Sequence, residues 1–581
     1  MWRCPLSHQS ILMLSLSKHA SRRSSFDRLR TRNDKTVATS EDTPMSTAPN
    51  IGRFDPITLE VLWTRLISVV DEAAAALVRT SFSTVVRESH DFSCVITDAT
   101  GRSLVQATDS IPSFIGTLPA TIQHFLKEIP PEAMRPGDVI ATNDIWQGTG
   151  HLPDISVAMP IFFEGKLVGF AGSTAHAPDI GGKIRSPEPR EVFEEGFQIP
   201  IMKIVDAGKA DETFLRLLRK NVRVPDQVVG DLWAQVTALE LMEDRVTTLM
   251  REYKLATLGD LAAEIRDRSE RAMRDAIRAL PDGVYRSELK TDGLTVPLDL
   301  KVTLTVKGDT VHADFAGSSP QVDRAINCAL CYTYAMTAYA VKCAAAPNLP
   351  NNDGATAPIT VSAPAGSIVN PVFPASGGSR ALTGHFVPTL IFGALAQVVP
   401  ERVTAGTGSP LWCINQSGVR PDGRTYVSLF FFNGGMGAAV SKDGESCLSW
   451  PSNISSTPTE VMEQLAPMRV HYRRLRPGSA GQGKHRGGLG QDILIENLAQ
   501  GRSTVSFLAE RTKAPAPGVA GGGNGECGEV RINGALVDPK SQHTLQTGDK
   551  VLLRTPGGGG YGKAEEREER LAELDRVRGL I

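Results

Sequence analysis

One stretch constrains the fold more than any other: GHLPDISVAMPIFFEGKLVGFAGSTAHAPDIGG, from Gly150 to Gly182. Ile155 to Phe163 and Leu167 to Ala175 read as two strands, because apolar residues alternate along both. Between them, Glu164-Gly165-Lys166 reads as a three-residue hairpin loop with the glycine in the left-handed position. The register set by that loop puts Asp154 opposite His176, with Cα atoms about 4.5–5.5 Å apart. His151, three residues before Asp154, folds back into the same space. The open end of the hairpin would then gather two imidazoles and a carboxylate on rigid elements, while nearby glycines let the backbone approach a bound group. Such a set suits a divalent ion with open positions, Mn, Fe, Co or Zn. Asp144 and Asp179 are further carboxylates within reach. The same residues would also serve as turn formers and satisfied histidines, and a one-residue slip would turn a ligand to the other face.

A chain of 581 residues exceeds what one core usually holds, so roughly three or four domains are expected. The fold class is mixed α/β (α+β) and multi-domain. Residues 1–44 form a basic leader rich in Ser and Arg, expected to be disordered or a start-site artefact ahead of Met45. Residues 45–210 hold the hairpin in an N-terminal α/β region, opened by Asp55-Pro56 as N-cap and first helical residue. The pattern turns helical over 211–282, most strongly in VVGDLWAQVTALELMEDRVTTLMREY. A middle α/β region covers 283–468, a Gly-rich, β-rich region 469–562, and a charged helical tail 563–581.

The overall charge excludes some partners. A formal net charge of -2 gives no attraction to nucleic acid or to an anionic membrane. No run of about 20 apolar residues occurs that would cross a bilayer. The 8 cysteines are scattered, so a reducing, cytoplasmic compartment fits, and the lone CxxC at Cys328 and Cys331 reads as buried thiols. Among the remaining motifs, Arg87-Glu88-Ser89-His90-Asp91 offers acid/base groups or a solvated loop. GQGKHRGGLG, with Arg486, offers an anion loop or a turn, and TPGGGGYG reads as a close approach of backbones. No Walker A or GxSxG motif is present.

Taken together, FDPITLEVLWTRL, RTSFSTVVRESHDFSCVITDATG, PGDVIATNDIWQGTGHLPDISVAMPIF, AHAPDIGG, LRPGSAGQGKHRGGLG and TPGGGGYG resemble, in order, the hydantoinase B/oxoprolinase family from about Gly52 to Gly562. The resemblance implies one subunit of an ATP-dependent cyclic amide hydrolase of the 5-oxoprolinase or N-methylhydantoinase type. It implies a hydantoinase A-like partner subunit that carries the ATP site and activates the ring amide. It also implies His151, Asp154 and His176 as metal ligands, with Glu88, Asp144 or Asp179 as the base. Many members show two adjacent histidines where this chain has His176-Ala177, which leaves Asp179 as the nearest substitute. Two further readings stand beside it: a subunit of an acetone or acetophenone carboxylase, and a non-catalytic scaffold for an ATPase partner.

Overall fold

The computed structural model describes residues 54–408 and 411–581, and the basic leader lies outside them. Asp55 caps the first helix, Pro56–Thr80, its Oδ1 accepting from the amides of Ile57 and Thr58 at 3.1 and 3.0 Å. Seven strands then build the sheet that carries the hairpin: β1 Phe92–Asp98, β2 Ser103–Gln106, β3 Val139–Thr142, β4 Asp154–Phe163, β5 Lys166–His176, β6 Met202–Asp206 and β7 Lys209–Ala210. Their order is β2-β1-β5-β4-β3-β6-β7, so the hairpin β4–β5 lies at the centre.

Helices Pro56–Thr80 and Pro225–Glu252 lie on one face of this sheet, sharing its largest apolar cluster. Helix Thr117–Glu128 covers the other through Leu118, Ile122 and Phe125 against Val95, Ala158 and Phe170. Coverage on both sides explains why almost all of β4 and β5 is buried. Small polar residues on these strands pair with one another, as where Ser156 and Thr174 meet at 2.8 Å. Polar groups at the open end of the hairpin are therefore removed from water.

The register agrees with the sequence reading where it matters. Asp154 pairs with His176, and the pairing holds to Ile161 opposite Gly169. The loop differs: Lys166 belongs to β5, and Glu164 and Gly165 form a two-residue turn with φ of 48° and 78°. A bulge at Val168 absorbs the missing residue, since Phe162 pairs with Leu167 while Ile161 pairs with Gly169.

Beyond helix Gly259–Arg278, a second sheet contains β8 Gly283–Thr291, β9 Leu298–Lys307, β10 Thr310–Asp314 and β11 Ile359–Ser362, backed by helices Leu330–Ala345 and Val387–Leu395. The remaining strands are β12 Trp412–Val419, β13 Thr425–Phe432, β14 Met468–Leu475, β15 Gln491–Asn497, β16 Ser503–Leu508, β17 Glu529–Ile532, β18 Ala535–Leu536, β19 His543–Leu545 and β20 Lys550–Arg554. They form two sheets, ordered β13-β12-β16-β19 and β14-β15-β20-β17-β18. In the Gly-rich region the close-approach reading applies: Gly481 N donates to Gly558 O, and Gly558 N to Gly488 O, at 2.9 and 3.0 Å. A Cβ on Gly557 would stand 1.8 Å from Ser479 O, so no larger residue fits there. Arg486 binds Asp575 of the tail helix Glu569–Val577 at 3.2 Å. No helix among the described residues is long and apolar enough to cross a membrane.

Candidate metal centre

His151, Asp154 and His176 meet at the open end of β4–β5, all three 2% exposed, with one ligand atom of each lying within 4.8 Å of the others. Asp154 Oδ1 is the hub. His176 Nδ1 donates to it at 2.8 Å, and His151 Nε2 lies 2.7 Å away. Its second oxygen, Oδ2, accepts from Thr149 Oγ1 at 2.6 Å and from Arg380 Nη2 at 2.8 Å. The loop carrying His151 is pinned by Asn143, whose Nδ2 donates to Leu152 O at 2.8 Å and Phe197 O at 3.0 Å.

The tautomer of His151 follows from its other partner. Nδ1 lies 3.2 Å from the carbonyl oxygen of Gly378. A carbonyl only accepts, so the ring proton sits on Nδ1 and Nε2 carries a lone pair. Burial and the Arg380 charge hold the pKa of this imidazole well below its usual value, keeping it neutral. Nε2 is buried and makes no hydrogen bond. A lone pair and a carboxylate oxygen thus face each other at 2.7 Å, an arrangement that a shared cation relieves. Two imidazoles and a carboxylate are a donor set that Mn, Fe, Co or Zn accepts, and a backbone carbonyl fixing the far nitrogen of His151 is the usual support of a ligating histidine. The residues fit a divalent ion.

The surrounding charges reinforce that fit. Burial works against ionising Asp154, but the Arg380 guanidinium and the hydrogen bond from His176 hold its pKa well below the usual carboxylate range. Asp91, 3.8 Å from His176 Nδ1, has its pKa raised by burial and by the nearby Asp154. Arg380 lies over the Tyr332 ring at 4.4 Å, which fixes its guanidinium toward Asp154. Two glycines make room: Gly150, at φ 103°, whose Cβ would stand 3.1 Å from Arg380 Cδ, and Gly377, whose Cβ would stand 2.7 Å from Gly150 O.

The other residues singled out in the sequence sit differently. Asp144 Oδ1 accepts from the amides of Trp146 and Gln147 at 2.8 and 2.9 Å, closing a turn. Asp179 lines the cavity beside His176, yet its carboxylate is held by Arg223 Nη1 at 2.6 Å, the Arg223 amide, and the Gly181 amide at 3.2 Å. Glu88 is half-buried after the turn Thr84–Arg87 and contacts none of the three. In the sequence Asp91 stands out only as one of the acid/base groups of Arg87–Asp91, not as a neighbour of His176, and Arg380 does not stand out at all. A signal for Asp91 exists: β1 pairs with β5 at Phe92 opposite Ala175, so the residue before β1 reaches His176. Arg380 stands 226 residues from Asp154, and no spacing rule links them.

A family model for hydantoinase B/oxoprolinase matches residues 55–564, and the chain belongs to that family. Among its relatives, a Pseudomonas sp. (strain NS671) protein, provisionally named as the B-type subunit of a D-/L-hydantoinase, is 33% identical over 92% of this chain and 94% of its own length. The 5-oxoprolinase of Dictyostelium discoideum is 28% identical over 88% of this chain, which spans only 41% of that protein. The crystal structure of an ATP-dependent caprolactamase from Pseudomonas jessenii superposes with a TM-score of 0.84 at 27% identity, covering 91% of this chain and 95% of that one. A nucleotide-free acetone carboxylase shares the fold, with a TM-score of 0.83 at 20% identity over 92% of this chain and 79% of its own.

Proposed function

We propose that this chain is the metal-bearing subunit of an ATP-dependent cyclic amide hydrolase, working with a hydantoinase A-like partner that supplies ATP-dependent activation of the ring. The observation that carries this reading is the meeting of His151 Nε2, unpartnered and buried, with Asp154 Oδ1 at the end of a rigid hairpin. Family membership and the ring-opening names of the relatives support the reaction class.

His151, Asp154 and His176 hold the divalent ion, with Asp91 as a further carboxylate donor beside His176. When bound, the ion supplies Lewis acidity toward an amide oxygen and a lower pKa for water. The chain's own residues prepare the site. Gly378 O keeps the His151 proton on Nδ1. Thr149 and Arg380 bind the second oxygen of Asp154 and so aim the first. Arg380 also offsets one of the two buried carboxylate charges. The cavity outside His176, bounded by Asp179, Arg185, Glu195 and Asn415, is where the ring is received. Of the carboxylates proposed as base, Asp179 lines this cavity and would act once released from Arg223, whereas Asp144 serves its turn and Glu88 stands away from the three ligands.

The test is an assay of the chain together with its ATPase-like partner. ATP-dependent opening of 5-oxoproline or a hydantoin, independent of bicarbonate and lost in His151→Ala, is the expected result. Bicarbonate-dependent conversion of acetone or acetophenone instead would establish the carboxylase reading. Full activity in His151→Ala would leave the chain a scaffold.

A further inference from the structure

The cavity beside His176 contains a charge that the protein leaves without a partner. Arg185 lines it, forms no ion pair among the described residues, and its Nη1 is buried with no hydrogen-bond partner. Only Nε is engaged, donating to Gly378 O at 3.3 Å, the same carbonyl that fixes His151. Several neighbouring charges are already committed, Lys183 to Glu194 at 2.5 Å, Asp179 to Arg223 and Arg380 to Asp154, while Asp91 feels the Arg185 charge without forming an ion pair with it. Arg185 is nevertheless held in place. Its carbonyl accepts from Ser506 Oγ of β16 at 2.7 Å, and Ser186 Oγ next to it accepts from Gln542 Nε2 at 3.1 Å.

A second unpartnered group faces the same cavity. Glu195 is 5% exposed, and its Oε1 accepts from Ser376 Oγ and from the amides of Gly377 and Gly378 at 2.6 and 2.8 Å. Its Oε2 has no partner. Keeping a guanidinium nitrogen and a carboxyl oxygen buried and unpaired is costly, so such atoms point to a ligand that pairs with them. The guanidinium fork matches a planar oxyanion.

We propose that Arg185 is an oxyanion subsite that makes this cavity select cyclic amides bearing a carboxylate over neutral lactams. The carboxylate is bound by the free edge of Arg185, with the amide ring between it and His176. This rests on the proposed ring-opening role for the identity of the ring, while the oxyanion site itself rests on Arg185 and its surroundings. The relatives are named for both kinds of ring, a 5-oxoprolinase and a caprolactamase, so their names do not decide between them. The same guanidinium chemistry would also accept a phosphoryl group.

Calorimetric titration of the full chain with L-5-oxoproline, 2-pyrrolidinone (the same ring without the carboxylate) and inorganic phosphate tests the proposal. Wild type, Arg185→Gln and Arg185→Lys are compared, with metal content measured on each preparation. Wild type is expected to bind 5-oxoproline about tenfold or more tighter than 2-pyrrolidinone, a margin that disappears in Arg185→Gln and is partly kept in Arg185→Lys. If the two lactams bind alike but phosphate binding is lost in Arg185→Gln, the subsite stands and its oxyanion is the phosphoryl group. Equal binding of every probe to wild type and Arg185→Gln would overturn the proposal, as would a folded wild type that binds neither oxyanion. Metal content that is negligible in wild type would contradict the proposed metal role without touching the Arg185 result.

Discussion

Asp154 and Asp292 are both buried carboxylates in clusters of mixed charge, and they are used in opposite ways. Asp292, just beyond β8, accepts from Thr512 N, Thr512 Oγ1, Lys513 N and Ala514 N at 2.6 to 2.9 Å, tying the second sheet to the segment after β16. Beside it, Glu510 Oε2 accepts from the Asp292 amide at 3.0 Å, while its Oε1 is paired with Lys540, which also donates to Ala509 O at 2.7 Å. Each carboxylate oxygen there has a donor. Around Asp154, by contrast, five buried polar atoms have no hydrogen-bond partner: His151 Nε2, Arg185 Nη1, Glu195 Oε2, and Nε and Nη1 of Arg380. The joining cluster leaves one such atom, Arg511 Nη2, and pairs every carboxylate oxygen, whereas a cluster that awaits a ligand leaves several donors and acceptors open. The difference separates structural from functional charge where burial alone does not, since Asp154 is 2% and Asp292 1% exposed.

The largest effect expected on stability comes from Asp154→Asn. It leaves the 3% exposed Arg380 without its anion, and breaking such a pair costs about 3–5 kcal/mol. Urea unfolding of metal-free protein measures this, and a loss below about 1 kcal/mol would mean that the pair is not buried in solution as described. A smaller, pH-dependent effect is expected in the other cluster. Burial pushes the Glu510 carboxyl from the ordinary 4.5 up to about 7. Between those values the folded state keeps a proton that the unfolded state has released, so stability falls as pH rises through that window. Glu510→Gln removes this slope, which unfolding midpoints at about pH 5 and about pH 8 would show. An identical slope in the variant would assign it to other groups.

Much of the candidate site was legible because β-pairing is local and periodic. The alternation on either side of Glu164-Gly165 placed Asp154 opposite His176, and the pairing survived a loop one residue shorter than expected because the Val168 bulge restored it. The backbone crowding at TPGGGGYG was equally local, a run of glycines where any Cβ would strike a carbonyl. What spacing could not supply was the long-range half of the centre. Asp91 arrives through strand pairing, Arg380 and Gly378 through a loop more than two hundred residues away, and Arg185 through a segment anchored on Ser506 and Gln542. Two further carboxylates near the ligands along the chain are engaged elsewhere in this structure, Asp144 closing a turn and Asp179 held by Arg223.

The central claim is that a cation belongs between His151 Nε2 and Asp154 Oδ1. Metal analysis of the purified chain beginning at Met45, wild type against His151→Ala, tests it most directly, with circular dichroism confirming that both are folded. The account predicts near-stoichiometric divalent transition metal in wild type and a loss to about a tenth or less in the variant. Equal and negligible metal in both, after supplementation with Mn, Fe, Co and Zn, would contradict it.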